Sequence, residues 1–177
     1  MPQSVALEPS AKPALALRHA KDRLPISMKA VSYEAENDWL MSPLAAPCLQ
    51  PPHGMLTAVD LKTRQIVWQV PTGTAEAQAP LGLKSHLPIP IGTLALGGTI
   101  TTAGGVSFRA ATTDAYLRAY DNATGRELWK APLPVAAAAT PMTYVSPRTG
   151  KQYVVISAGG GGLGAAQGDY VLAYALP

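Results

Sequence analysis

Leu117-Arg118-Ala119-Tyr120-Asp121-Asn122-Ala123-Thr124-Gly125-Arg126-Glu127-Leu128-Trp129 is the stretch on which the fold turns. A run rich in β-forming residues ends at an Asp, a short polar segment with a Gly follows, and a second run ends at a Trp. Asp bonds back to the turn and Gly supplies a positive φ, so 121–125 reads as the turn of a hairpin. Leu56-Thr57-Ala58-Val59-Asp60-Leu61-Lys62-Thr63-Arg64-Gln65-Ile66-Val67-Trp68 carries the same A-x-D-x-x-T-x-x-x-x-W pattern. The two aspartates lie about 61 residues apart, and a shared turn at a fixed period marks a repeat architecture.

Outward from Asp121, strands are expected at 98–102, 106–111, 115–121 and 126–133, a complete four-stranded antiparallel blade. Three more follow at 140–145, 152–158 and 169–175, and 55–60 with 64–70 supply a hairpin before it. A Trp at the end of each repeat suits the gap between neighbouring sheets, where a large indole joins one blade to the next. The expected fold is all-β: a partial β-propeller of about two and a third four-stranded blades, where whole propellers have about 4–8. Because a closed ring leaves no free edge, a three-stranded last blade is expected to be completed by a strand from elsewhere.

Composition agrees. Charged residues are 14% of the chain and apolar ones 47%, with 16 Gly and 17 Pro, a turn-rich but core-forming mixture rather than a disordered one. The net charge of +3 is thinly spread apart from Lys12, Arg18, Lys21, Arg23 and Lys29. Residues 1–27 read as a divergent, flexible and solvated segment, and 28–177 as the propeller part. No aromatic residues interleave with those charges, so a nucleic-acid partner is not expected. Cys48 is the one cysteine, which excludes an intrachain disulfide, and it reads as a small buried hydrophobe. No apolar run approaches the ~18 residues of a membrane span, and the N-terminus lacks a signal peptide's apolar core. The chain as written is therefore expected to stay in the cytoplasm where it is made.

Three stretches resemble the membrane-bound dehydrogenases for glucose and for quinate or shikimate that depend on pyrroloquinoline quinone (PQQ). They are Pro47-Cys48-Leu49-Gln50-Pro51-Pro52-His53-Gly54 with the run to Leu61, Ile91-Gly92 through Leu96-Gly97-Gly98, and the tail. The tail match is the most specific: Ala139-Thr140-Pro141-Met142-Thr143-Tyr144, Gly150 to Gly160, and Gly168-Asp169-Tyr170-Val171-Leu172-Ala173-Tyr174-Ala175-Leu176-Pro177. The resemblance spans residues 28–177. It implies an eight-bladed propeller at the periplasmic face of the inner membrane, with PQQ and Ca²⁺ or Mg²⁺ on its axis. Such an enzyme oxidises a sugar or polyol hydroxyl and passes electrons to ubiquinone. It also implies that Leu96, Gly97 and Gly98 lie beside the quinone, and that Gly160, Gly161 and Gly162 form a loop over the active-site mouth.

The sequence departs from that family at several points. Gly161 stands where the family has a His, and His53 where it has a Trp. Gly73-Thr74-Ala75-Glu76-Ala77 lacks the family's Asp, and Thr93-Leu94 replaces Met-Pro. Ala136 to Ala139 replaces a Gly-containing loop. Arg109 interrupts an apolar strand, where an unpaired buried charge costs several kcal/mol. No residue is assigned as catalytic or as a metal ligand: Asp60 and Asp121 are turn residues, Asp169 opens a strand, and His19, His53 and His86 lack ligand spacing. The expectation is a carboxy-terminal piece of such a dehydrogenase, inactive alone and needing the missing blades or self-association. The alternative is a non-catalytic propeller scaffold or a gene remnant.

Overall fold

The computed structural model describes residues 3–9, 26–27, 33–40, 42–43, 47–77, 85–160 and 166–175, the strands before residue 40 by their backbone alone. The chain divides into two units, Met1–Gln50 and Pro51–Pro177. In the first, β1 (Gln3–Pro9), β2 (Ile26–Ser27) and β3 (Tyr33–Trp39) form an antiparallel sheet in the order β1-β3-β2. The sequence placed no strand there, because β3 has an acid at every second position from Glu34 to Asp38, a residue type depleted in strands. Cys48 is exposed, which corrects its reading as a buried hydrophobe.

The second unit follows the repeat. β4 (Met55–Asp60) and β5 (Gln65–Pro71) pair as a hairpin. A four-stranded antiparallel sheet follows: β6 (Thr99–Thr101), β7 (Val106–Arg109), β8 (Tyr116–Asp121) and β9 (Glu127–Pro132), in sequence order. β10 (Met142–Val145), β11 (Gln152–Ala158) and β12 (Tyr170–Ala175) make the third sheet. These are the strands expected from the pattern, shifted by only a residue or two at their ends.

Both hairpin turns are built alike. Asp60 Oδ1 accepts the Lys62 N–H at 2.7 Å, and Asp121 Oδ1 accepts those of Ala123 and Thr124 at 2.9 and 2.8 Å. Gly125 takes the left-handed position in the second turn (φ 73°), and Arg64 takes it in the first (φ 59°). The ladder slips at the same point in each, between Ala58 and Val59 and between Ala119 and Tyr120. The repeat therefore extends to the bulge, which pattern matching does not detect.

The four-stranded sheet has two unlike faces. Cross-strand partners share a face, so Ile100, Phe108, Ala119 and Trp129 line one side, with Leu117 and Ala131 beside them. That side joins the core, where Leu117 (0% exposed), Ile156 (1%) and Ala158 (0%) pack with Ala110, Leu133, Val135, Ala137 and Val154. Burying a side chain such as Leu117 or Ile156 contributes about 1.5–3 kcal/mol. The opposite side carries Thr99, Arg109, Arg118 and Lys130 in one row and Thr101, Ser107, Tyr120 and Glu127 in the next.

Candidate functional site

The strands of an antiparallel sheet return their connections to common ends. The segment before β6, the 110–115 loop, the 133–141 connection and the described residues after β11 (159–160) and before β12 (166–169) all lie at one end of the sheets. They are tied together there: Leu133 N donates to Ala115 O at 2.8 Å, and Gly160 N to Ala136 O at 2.8 Å. Ala95 forms a single bridge with Thr112. Leu96, Gly97, Gly98 and Gly160 thus fall on one loop cluster.

Leu96-Gly97-Gly98 forms a strip across that cluster. Leu96 is 56% exposed although it is large and apolar. A Cβ at Gly97 would stand 2.7 Å from Ala138 O and 2.8 Å from Ala111 Cβ, so the lack of a side chain serves close packing within the protein itself. Gly98 N donates to the Thr140 hydroxyl at 2.9 Å. Gly160 sits at φ 71° with its backbone against Ala166. Gly161 and Gly162 lie outside the described residues.

Beside the strip is a polar centre that the sequence reading did not assign. Asp114 and Arg118 form a buried ion pair: Arg118 Nη1 donates to Asp114 Oδ1 at 3.0 Å and Nη2 to Oδ2 at 2.5 Å. The Thr112 hydroxyl donates to Asp114 Oδ1 at 2.6 Å and accepts from Arg118 Nη1 at 3.0 Å. Arg118 Nε donates to Glu127 at 3.0 Å. The N–H and hydroxyl of Thr74, from the loop after β5, reach Asp114 Oδ2 at 2.7 and 3.0 Å. Burial pushes the Asp114 carboxyl up, but the Arg118 guanidinium, the Thr112 hydroxyl and the Thr74 N–H outweigh it and hold the pKa below the ordinary carboxylate value.

The signal for this centre is weak in the sequence, since Arg118 sits in an alternating strand where an arginine ordinarily faces water. Arg109, directly opposite it, is half-buried with a buried Nε that has no hydrogen-bond partner, and burial lowers its pKa. His53 Nδ1 and Thr113 Oγ1 are likewise buried without partners. His86 is exposed. Among the described residues no group of three or more His, Cys, Asp or Glu could hold a metal ion, so these residues by themselves do not fit a metal site. Nor is any helix among them long and apolar enough to cross a membrane.

A hairpin and a four-stranded sheet that repeat one Asp turn and one bulge, with the Trp of the first reaching the turn of the second and a third antiparallel sheet following, define a β-propeller segment with its candidate site at the loop end. The chain belongs to the PQQ-dependent dehydrogenases: the family described as "PQQ: Glucose/ethanol/alcohol dehydrogenase, beta-propeller domain" matches residues 2–154. It is 52% identical over 151 residues to the quinate/shikimate dehydrogenase (quinone) of Acinetobacter baylyi, covering 85% of this chain and 19% of that protein. It is 48% identical over 148 residues to the quinoprotein glucose dehydrogenase of Escherichia coli, covering 83% and 18%. The quinohemoprotein alcohol dehydrogenase of Comamonas testosteroni has a similar fold, at a TM-score of 0.51 and 28% identity, covering 81% of this chain and 18% of that one. The chain spans about a fifth of the length of the curated relatives it matches.

The loop end fits one wall of a PQQ site. Leu96 offers an apolar surface for a flat ring, and Thr113 Oγ1 in the adjoining loop is a buried polar atom without a partner.

Proposed function

We propose that this chain supplies part of the cofactor-bearing loop end of a PQQ-dependent dehydrogenase that oxidises a sugar or polyol hydroxyl of the glucose or quinate/shikimate class. The observation that carries the reading is the exposed Leu96, held between two anchored neighbours where the loops of consecutive sheets converge. When bound, PQQ would supply the two-electron acceptor for oxidation of the substrate hydroxyl, with ubiquinone as the onward acceptor in the complete enzyme, and Ca²⁺ or Mg²⁺ would be held by residues outside this chain. Within this chain Leu96 lies against the ring, and Gly97 and Gly98 let the strip seat on Ala111 and Thr140. Gly160 borders the mouth, the role that the resemblance also implies for Gly161 and Gly162. The site is completed by the remaining blades or by self-association, and the working enzyme sits at the periplasmic face of the inner membrane. The chain alone turns over no substrate.

Complementation tests this. The chain is co-expressed with a quinate dehydrogenase lacking the matching region, loaded with PQQ and Ca²⁺, and assayed for dye-linked oxidation of quinate and glucose. Turnover by the pair and none by the chain alone is the expected result. A silent pair points to a non-catalytic scaffold or a remnant, and turnover by the chain alone contradicts the claim that it is inactive.

A further inference from the structure

We propose that Asp114, acting through Thr112, is the positioning residue that presents Leu96 to the cofactor; this rests on the reading of Leu96-Gly97-Gly98 as the cofactor-facing strip. The geometry forms an unbroken chain. Asp114 is clamped by both Nη atoms of Arg118, by the Thr112 hydroxyl, and by the N–H and hydroxyl of Thr74. Thr112 is in turn the bridge partner of Ala95, and Ala111 is the side chain against which Gly97 closes. Leu96 is therefore held on both sides by neighbours whose supports, residues 111 and 112, belong to the loop that Asp114 fixes.

That loop does not hold its shape by backbone preference. Ala111 and Ala115 both adopt left-handed φ values, 64° and 56°, a region that costs an alanine energy, so the surrounding contacts must impose it. Asp114 lies between the two and carries the densest set of those contacts. Thr74 extends its reach to the hairpin β4–β5, so one carboxylate ties the connection leaving one repeat to the loop end of the next. Asp114 thus couples these three segments beside an apolar side chain, Leu96, that is left 56% exposed.

Thr112 offers the sharper test, because Thr112→Val removes its hydroxyl but leaves the Asp114–Arg118 pair and the side-chain shape in place, and Thr112→Ser restores the hydroxyl. Amide hydrogen exchange at Gly98 is measured on the full chain for all three forms, and fluorescence titration with PQQ plus Ca²⁺ on each form paired with the quinate dehydrogenase that lacks the matching region. Thr112→Val is expected to speed exchange at Gly98 at least tenfold and to weaken PQQ binding at least tenfold, with Ala119 exchange unchanged and both effects reversed in Thr112→Ser. Unchanged Gly98 exchange in Thr112→Val overturns the inference whether or not PQQ binds. Faster exchange with undiminished PQQ affinity overturns the link to the cofactor. If the pair containing the unaltered chain takes up no PQQ, the cofactor-facing reading of the strip fails, and Gly98 exchange still decides whether Asp114 and Thr112 position it.

Discussion

The indole of Trp68 lies against Gly125, where a Cβ would stand 2.6 Å from its Cε3, and its Nε1 donates to Asn122 O at 2.9 Å. One repeat is thereby latched onto the turn of the next, and the latch needs both the bare glycine and its φ of 73°. Gly125→Ala is expected to destabilise the second unit by about 2 kcal/mol or more, from the left-handed backbone and the displaced indole together. Trp68→Phe removes the hydrogen bond and costs about 1 kcal/mol beyond its lost contact area. Urea denaturation followed by tyrosine and tryptophan fluorescence checks both.

Arg64 fills in its turn the place that Gly125 fills in the other, with a φ of 59° and an exposed side chain. Relief of the left-handed strain outweighs the entropy that glycine adds to the unfolded chain, so Arg64→Gly is expected to stabilise by about 0.5–1 kcal/mol. The urea midpoint should rise with its slope unchanged.

Arg109 faces Arg118 across the ladder, but Asp114 and Glu127 both bond to Arg118. Like charges directly opposite are unfavourable in a sheet. Arg109→Met keeps the aliphatic stem, removes an unpartnered buried donor, and is expected to raise stability by about 1–2 kcal/mol. A fall in stability would mean that the guanidinium has a partner in solution.

Stability should fall at both extremes of pH. The Asp114 carboxyl has a pKa below its ordinary 3.8, so the stabilisation it carries is present above that value and is lost as pH drops below it. Tyr120 is the converse case. Burial pushes its hydroxyl up to about 12, so stability is present below the ordinary value of 10.0 and is lost as pH rises from there toward 12. Urea midpoints measured across pH and a spectrophotometric tyrosine titration check the two limits, and Arg118→Met should abolish most of the acid-side dependence.

Much of the second unit was legible because its signals are local. Asp60 and Asp121 bond to backbone two and three residues ahead, and Trp68 and Trp129 stand at a fixed distance from them. Trp129 meets Tyr174 edge-on at 5.5 Å, as expected of an aromatic between sheets. The Asp114 centre was not legible, because Thr74 lies 40 residues away and nothing near either residue announces the other. Leu96, Gly97, Gly98 and Gly160 were singled out through family resemblance, and Gly97 is a glycine because Ala111 and Ala138 crowd it. The sheet of the first unit was missed because the alternating acids of β3 look like solvated chain rather than a strand.

The most direct test of the central claim is an NMR titration with PQQ plus Ca²⁺ of the labelled full chain paired with a quinate dehydrogenase lacking the matching region, following the amides of residues 96–98, 111–113 and 160. The account predicts saturable shifts confined to these loop-end amides, with the turn amides of residues 62–64 and 123–125 unmoved. Shifts concentrated at the hairpin turns, or none at PQQ concentrations that load a complete quinate dehydrogenase, would contradict it.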